Sequence, residues 1–174
     1  MNRRTTLMAT ALLSFAVALL AYDVLAQQKQ HVSYKIPAAE SKMERQLNVD
    51  VGDQPSHIVR VYDTRSTFSN NAPVINGAKL VEQWARGTVD MVDGSGSGVQ
   101  YGVYLMDNGD KFFARTTNVL QNVLGKVTIT GVGNITGGTG KFAGMQGIIR
   151  QVTNIDFKAS SVDSQYDVEY AIGK

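Results

Sequence analysis

The chain has 174 residues, 17 Lys+Arg against 15 Asp+Glu, 43% apolar residues and no cysteine. That length suffices for one hydrophobic core, and the missing cysteines exclude disulfides and thiolate metal sites, so the fold must rest on burial alone. No stripe of Lys and Arg interleaved with aromatics is present, which argues against a nucleic-acid partner.

Residues 1–26 have the three parts of a secretory signal. Arg3 and Arg4 form the basic start, Leu7 to Leu20 the apolar stretch, and Val24-Leu25-Ala26 a small-residue cleavage site before Gln27. The apolar run is too short for the roughly 20 residues a spanning helix needs, and no later segment is apolar enough, so no membrane span is expected. No cysteine follows the signal to carry a lipid anchor. Removing it leaves 15 Lys+Arg against 14 Asp+Glu over 148 residues, a nearly neutral chain destined for the periplasm or the exterior.

Residues 27–56 are polar and without clear periodicity, and read as an extended N-terminal arm. Pro37 suits a helix start, which suggests a short turn over Ala38–Arg45. From residue 57 to 174 the period is two. Val59 and Val61 alternate with Arg60 and Tyr62; Leu80, Glu82 and Trp84 with Val81, Gln83 and Ala85; Tyr166, Val168 and Tyr170 with Asp167 and Glu169. Asp93-Gly94 and Asp107-Asn108-Gly109-Asp110 mark turns, the second with the Asn-Gly pair of tight hairpins. Seven or eight short strands without a long amphipathic helix predict one all-β domain, a barrel or a sandwich.

The run Ile135-Thr-Gly-Gly-Thr-Gly-Lys-Phe-Ala-Gly-Met-Gln-Gly147 carries five glycines, Gly137, Gly138, Gly140, Gly144 and Gly147. Such density between two strand-like runs predicts a bulged corner held by backbone geometry. It is not a phosphate loop, because Gly140-Lys141 is followed by Phe142 and then by a strand-like segment rather than a helix. This corner resembles the Gly-Gly-(Thr/Ala)-Gly-x-Phe motif of allene oxide cyclases and dirigent proteins, and the resemblance extends over roughly residues 58–153. It implies an eight-stranded antiparallel β-barrel with an apolar cavity, and a homodimer or homotrimer.

Nucleophilic and metal chemistry find little material. His31 and His57 are the two histidines, there is no Gly-x-Ser-x-Gly elbow, and His57 with Asp63 offers no recognised ligand spacing. Asp90, Asp93, Asp107 and Asp110 lie around turns, where acids are ordinary turn formers. No metal and no cofactor is expected.

The resemblance instead implies a lumenal site. Val61-Tyr62-Asp63 matches the acidic position on the first barrel strand, and Glu82, five residues before Gly87, stands where the family carries an asparagine. Tyr101 and Tyr104 match the tyrosines before the next hairpin, Thr117 falls near a later cavity tyrosine, and the family's cavity cysteine has no counterpart. If Asp63 faces inward, period two brings Val59, Val61 and Arg65 with it, as Glu82 brings Leu80, Trp84 and Arg86. Buried charges must pair, so Asp63 and Glu82 are expected against Arg65 and Arg86; the alternative is that both arginines reach solvent at the barrel mouth. Trp84 is then core or cavity wall. The catalytic candidates are Asp63 and Glu82, with Arg65, Trp84, Arg86, Tyr101 and Thr117 as ligand contacts.

Three functions remain open: a barrel binding a small apolar or lipid-like molecule, a cyclase or isomerase moulding a flexible substrate around a lumenal carboxylate, and a structural envelope protein with a filled barrel. A cavity above about 300 Å³ with an inward acid favours the first two.

Overall fold

The computed structural model describes residues 29–69, 71–159 and 161–173; the expected signal and its cleavage site lie outside them. The chain forms β1 (Gln30–Pro37), a 3-10 turn (Ala38–Glu40), β2 (Ser41–Asp50), β3 (His57–Thr67), β4 (Val74–Ile75), β5 (Ala78–Val92), β6 (Ser95–Met106), β7 (Lys111–Val123), β8 (Lys126–Gly138), a second 3-10 turn (Gly140–Phe142), β9 (Met145–Asp156) and β10 (Ser161–Ile172). The ladders are all antiparallel, in the order β1-β10-β9-β8-β7-β6-β5-β3-β2, with β4 a two-residue flap on β5. No helix among the described residues is long and apolar enough to cross a membrane. The all-β antiparallel class read from period two is the architecture that forms.

The stretch expected as an arm instead supplies both ends of the sheet. In β1, Val32, Tyr34 and Ile36 turn inward while Ser33 and Lys35 turn out, a period-two signal too short to stand out beside the polar flanks. Pro37, which has no N–H to give a ladder, ends the strand. Only Ala38–Glu40 of the expected turn is helical, and β2 begins at Ser41. The consequence is one interrupted strand whose first half pairs with β10 and whose second half pairs with β3. Counted as one, it leaves eight strands in the main order, and β1 and β2 form no ladder with each other among the described residues.

One half of the interior is packed. Leu80, Tyr104, Met106, Phe112, Phe142, Met145, Ile149 and Val168 are buried together with Ile75 of the β4 flap. Tyr104 stacks on Phe112 with centroids 4.1 Å apart, and Phe142 lies 5.9 Å beyond. Fully burying such a side chain contributes about 1.5–3 kcal/mol. The glycine corner delivers Phe142 to this position. Gly140 takes φ +51°, and a Cβ there would lie 1.9 Å from Asp110 Oδ1. The Asp110 carboxylate accepts the Lys141 N–H at 3.0 Å and so pins the 3-10 turn against the Asp107–Asp110 hairpin. The other half of the interior is hollow.

Candidate functional site

A β-bulge decides which residues of β5 face the hollow. Leu80 lies opposite Met106 and Glu82 opposite Leu105, so Val81 is the extra residue. Leu80 points inward; past the bulge the inward set becomes Gln83, Ala85, Val89 and Met91. Glu82, Trp84 and Arg86 therefore lie on the outer wall. On β3 the inward face carries Arg60, Tyr62, Thr64 and Ser66, which puts Asp63 and Arg65 outside. The lumenal placement of Asp63, Glu82, Arg65, Trp84 and Arg86 is thus corrected by strand register. Tyr101 and Thr117 are outward as well, between the inward Gln100, Thr116 and Asn118.

Most of these residues do come together, on the outside. Arg65 Nε donates to Glu82 Oε2 at 2.8 Å, Arg86 Nε lies 3.2 Å from Asp63 Oδ1, and the Trp84 indole N–H donates to Glu82. The Arg86 and Arg65 guanidinium carbons lie 4.4 and 5.4 Å from the Trp84 ring, an arrangement favourable to both cations. Tyr101 receives Arg115 in the same way at 5.9 Å. The ion pairs expected inside the lumen have formed on the outer wall, between half-exposed arginines and largely buried acids.

The hollow itself is a cavity of about 310 Å³. Its deep end carries a belt of uncharged polar groups. Gln100 Nε2 donates to Gln151 Oε1 (3.1 Å), Gln151 Nε2 donates to Asn118 Oδ1 (3.2 Å), and Asn118 Nδ2 donates back to Gln100 Oε1 (3.5 Å). The three amides close a ring. The Tyr62 hydroxyl donates to Gln100 Oε1 at 3.0 Å, and the Tyr34 hydroxyl donates to Gln83 Oε1 at 2.8 Å. Each amide nitrogen has two N–H groups and spends one on the ring.

Two glycines make room for this belt. Gly131 lies between Asn118 and Gln151 in register, and a Cβ there would lie 2.2 Å from Asn118 Oδ1 and 2.7 Å from Gln151 Cγ. Gly87 lies between Tyr62 and Gln100, and its Cβ would lie 2.9 Å from the Tyr62 hydroxyl. Long polar side chains thereby reach over a bare strand to meet each other. Sequence reading passed over Gln83, Gln100, Asn118 and Gln151, because amides on alternate strand positions look like a solvated face; the available signal was the glycine opposite Gln100, Asn118 and Gln151 on a neighbouring strand, which Gln83 lacks.

Burial governs the electrostatics of the cavity. Desolvation pushes the Tyr62 and Tyr166 hydroxyls up to about 12, and raises Tyr34 and Tyr104 well above the usual phenol value. These phenols are neutral hydrogen-bonding groups at any ordinary pH. Leu120, Val89, Met91, Ile129 and Ile155 form the apolar throat above them. No Asp, Glu, Lys or His belongs to the cavity wall among the described residues, and Arg60 is its one formal charge.

No family profile and no curated protein matches the chain. Among solved structures, the fold is similar to the pterocarpan synthase dirigent protein PsPTS1, with TM-score 0.51 at 14% identity over 84% of this chain and 97% of that one. A second pterocarpan synthase dirigent protein, GePTS1, matches with TM-score 0.48 at 15% identity over 84% of this chain and 89% of the other. Pyocyanin demethylase matches with TM-score 0.42 at 14% identity over 80% of this chain and all of the other. The architecture is a dirigent-like barrel.

Proposed function

We propose that this barrel binds a single small, mainly apolar molecule in its cavity and recognises a carbonyl, phenolic or similar oxygen through the Gln100–Asn118–Gln151 ring. The observation that carries the reading is the combination of an apolar throat with a preformed, uncharged hydrogen-bonding floor. Ligand sites have this construction, with apolar walls and a few convergent polar groups, and volumes start near 300 Å³. The cavity stands at that lower bound, which suits a ligand of one or two fused rings or a short chain. A filled barrel has less support. The similarity to a dirigent protein named for a synthase is compatible with a barrel that handles a small molecule.

Moulding of a flexible substrate is the second reading, and it now rests on the phenols. Tyr62 and Tyr166, neutral and facing the cavity, are suited to polarising a carbonyl, whereas Asp63 and Glu82 would have to act from the outer wall. Export of the mature chain, inferred from its first 26 residues, would set the ligand outside the cytoplasm.

Titration with the neutral fluorophore N-phenyl-1-naphthylamine, comparing the mature chain with Ala85→Phe, tests the reading. Ala85 lines the cavity and is buried, so the larger ring fills it. Saturable fluorescence in the wild type that Ala85→Phe abolishes supports a lumenal site; an equal response in both, or none in either, overturns it.

A further inference from the structure

We infer that Arg60 is an anion anchor at the cavity mouth, so that the ligand is an amphipathic anion: a carboxylate, sulfonate or phosphate head on an apolar body. This rests on the binding function proposed above.

Three observations lead there. Arg60 is the one formally charged residue on the cavity wall, and it lies on the inward face of β3, one inward position before Tyr62. That spacing is about 6.5–7 Å along a strand. Its side chain is committed only lightly: Nε donates to Asn48 Oδ1 at 2.9 Å, and no carboxylate lies within ion-pair distance among the described residues. Every other arginine on β3 and β5 has an acid, Arg65 holding Glu82 and Arg86 holding Asp63. The cavity wall beside Arg60 is also apolar, while its guanidinium contact with Asn48 is exposed to solvent. Val89 is its partner across the β3–β5 ladder, and Met43, Met91, Leu120 and Ile129 complete the throat.

A guanidinium has five N–H donors in a planar fork. With Nε on Asn48, the terminal nitrogens remain for a bidentate contact to an oxyanion. A ligand anion gains a charge-assisted contact at Arg60 while its body displaces water from the throat. Tyr62, the next inward residue on β3, donates to Gln100 of the amide ring, so a molecule held at both places carries its anionic head and a second hydrogen-bonding atom on one apolar body. The wall contributes no carboxylate to repel such a guest, and a cationic guest would meet only Arg60.

The test uses two probes of nearly the same body, 8-anilinonaphthalene-1-sulfonate and neutral N-phenyl-1-naphthylamine, on the mature chain and on Arg60→Gln, Arg60→Lys and Ala85→Phe. The readout is the ratio of the two affinities. Loss of one charge-assisted contact lowers the sulfonate preference about tenfold in Arg60→Gln; Arg60→Lys restores part of it, and raising the salt lowers it in the wild type and in Arg60→Lys but not in Arg60→Gln. A ratio that Arg60→Gln leaves unchanged, or sulfonate binding that survives in Ala85→Phe, overturns the anchor while leaving neutral binding intact. Failure of both probes to bind the wild type overturns the cavity reading itself.

Discussion

The amide oxygen of Asn118 occupies the space that a side chain at position 131 would need: a Cβ built on Gly131 would lie 2.2 Å from Asn118 Oδ1. Gly131→Ala therefore opens the amide ring without touching any of its members. Leaving buried amide groups unpaired costs about 1–3 kcal/mol, so the variant should melt several degrees lower and bind N-phenyl-1-naphthylamine more weakly. Gly125→Ala is the control for a general loss of stability, since Gly125 has a positive φ, which Gly131 lacks, and no atom within 4 Å of its Cβ site. It should lose stability and keep binding.

Asp63→Asn and Glu82→Gln should leave cavity binding as it was. Both acids pair with half-exposed arginines on the outer wall, away from the cavity. Probe titration beside thermal melting checks this. A large loss of binding in Asp63→Asn, at unchanged stability, would return the acid to the site.

His57 makes the loop after β2 sensitive to pH. Its Nδ1 lies 2.6 Å from Asp53 Oδ1 and its Nε2 2.8 Å from Asp90 Oδ1. Hydrogen bonds to Asp90 and Asp53 raise the imidazole above its ordinary 6.5, and the hydrogen bond to His57 lowers Asp53 below its ordinary 3.8. A raised histidine stabilises fully below its unfolded value and loses that contribution as pH rises through the folded one. A lowered aspartate stabilises above its unfolded value and loses that contribution as pH falls through the folded one. The wild type should thus exceed His57→Gln in melting temperature most between about pH 4 and 6.5, with the gap shrinking on either side. A gap independent of pH would mean that the imidazole acts by packing alone.

At the packed end, Phe142→Ala should cost about 3–5 kcal/mol, the usual range for a buried aromatic. Gly140→Ala should cost about 1 kcal/mol or more, since the new methyl meets the Asp110 carboxylate in a backbone region that L residues avoid. Denaturant melts of both variants measure the difference, and an unaffected Gly140→Ala would show that the corner can adjust.

The strand content, the hairpin turns and the glycine corner were legible because each follows from local rules: period two, Asn-Gly and Asp-Gly pairs, and glycine density. The facing of β3 and β5 was not. One bulged residue, Val81, transfers Glu82, Trp84 and Arg86 to the other face, and nothing in the alternation from Leu80 to Trp84 marks it. On β3 the usual inference failed differently, since the wall puts Thr64 and Ser66 inside and Val61 outside. Apolar residues mark the interior only where the interior is packed, and this half is built to hold a guest. β1 was missed for a third reason, its short inward series being cut off by Pro37.

Gln30 is paired with Tyr170, and Pro37 with Asp163. Strands near the two ends of the described chain are thus neighbours, with nearly the whole sequence looped between them. During synthesis, β1 has to wait for β10, the last strand among the described residues, and until then its pairing edge offers bare backbone to any passing strand. The polar, lysine-bearing outer edge of β1 (Ser33, Lys35) is in keeping with such a wait, because a charged margin discourages the wrong companion.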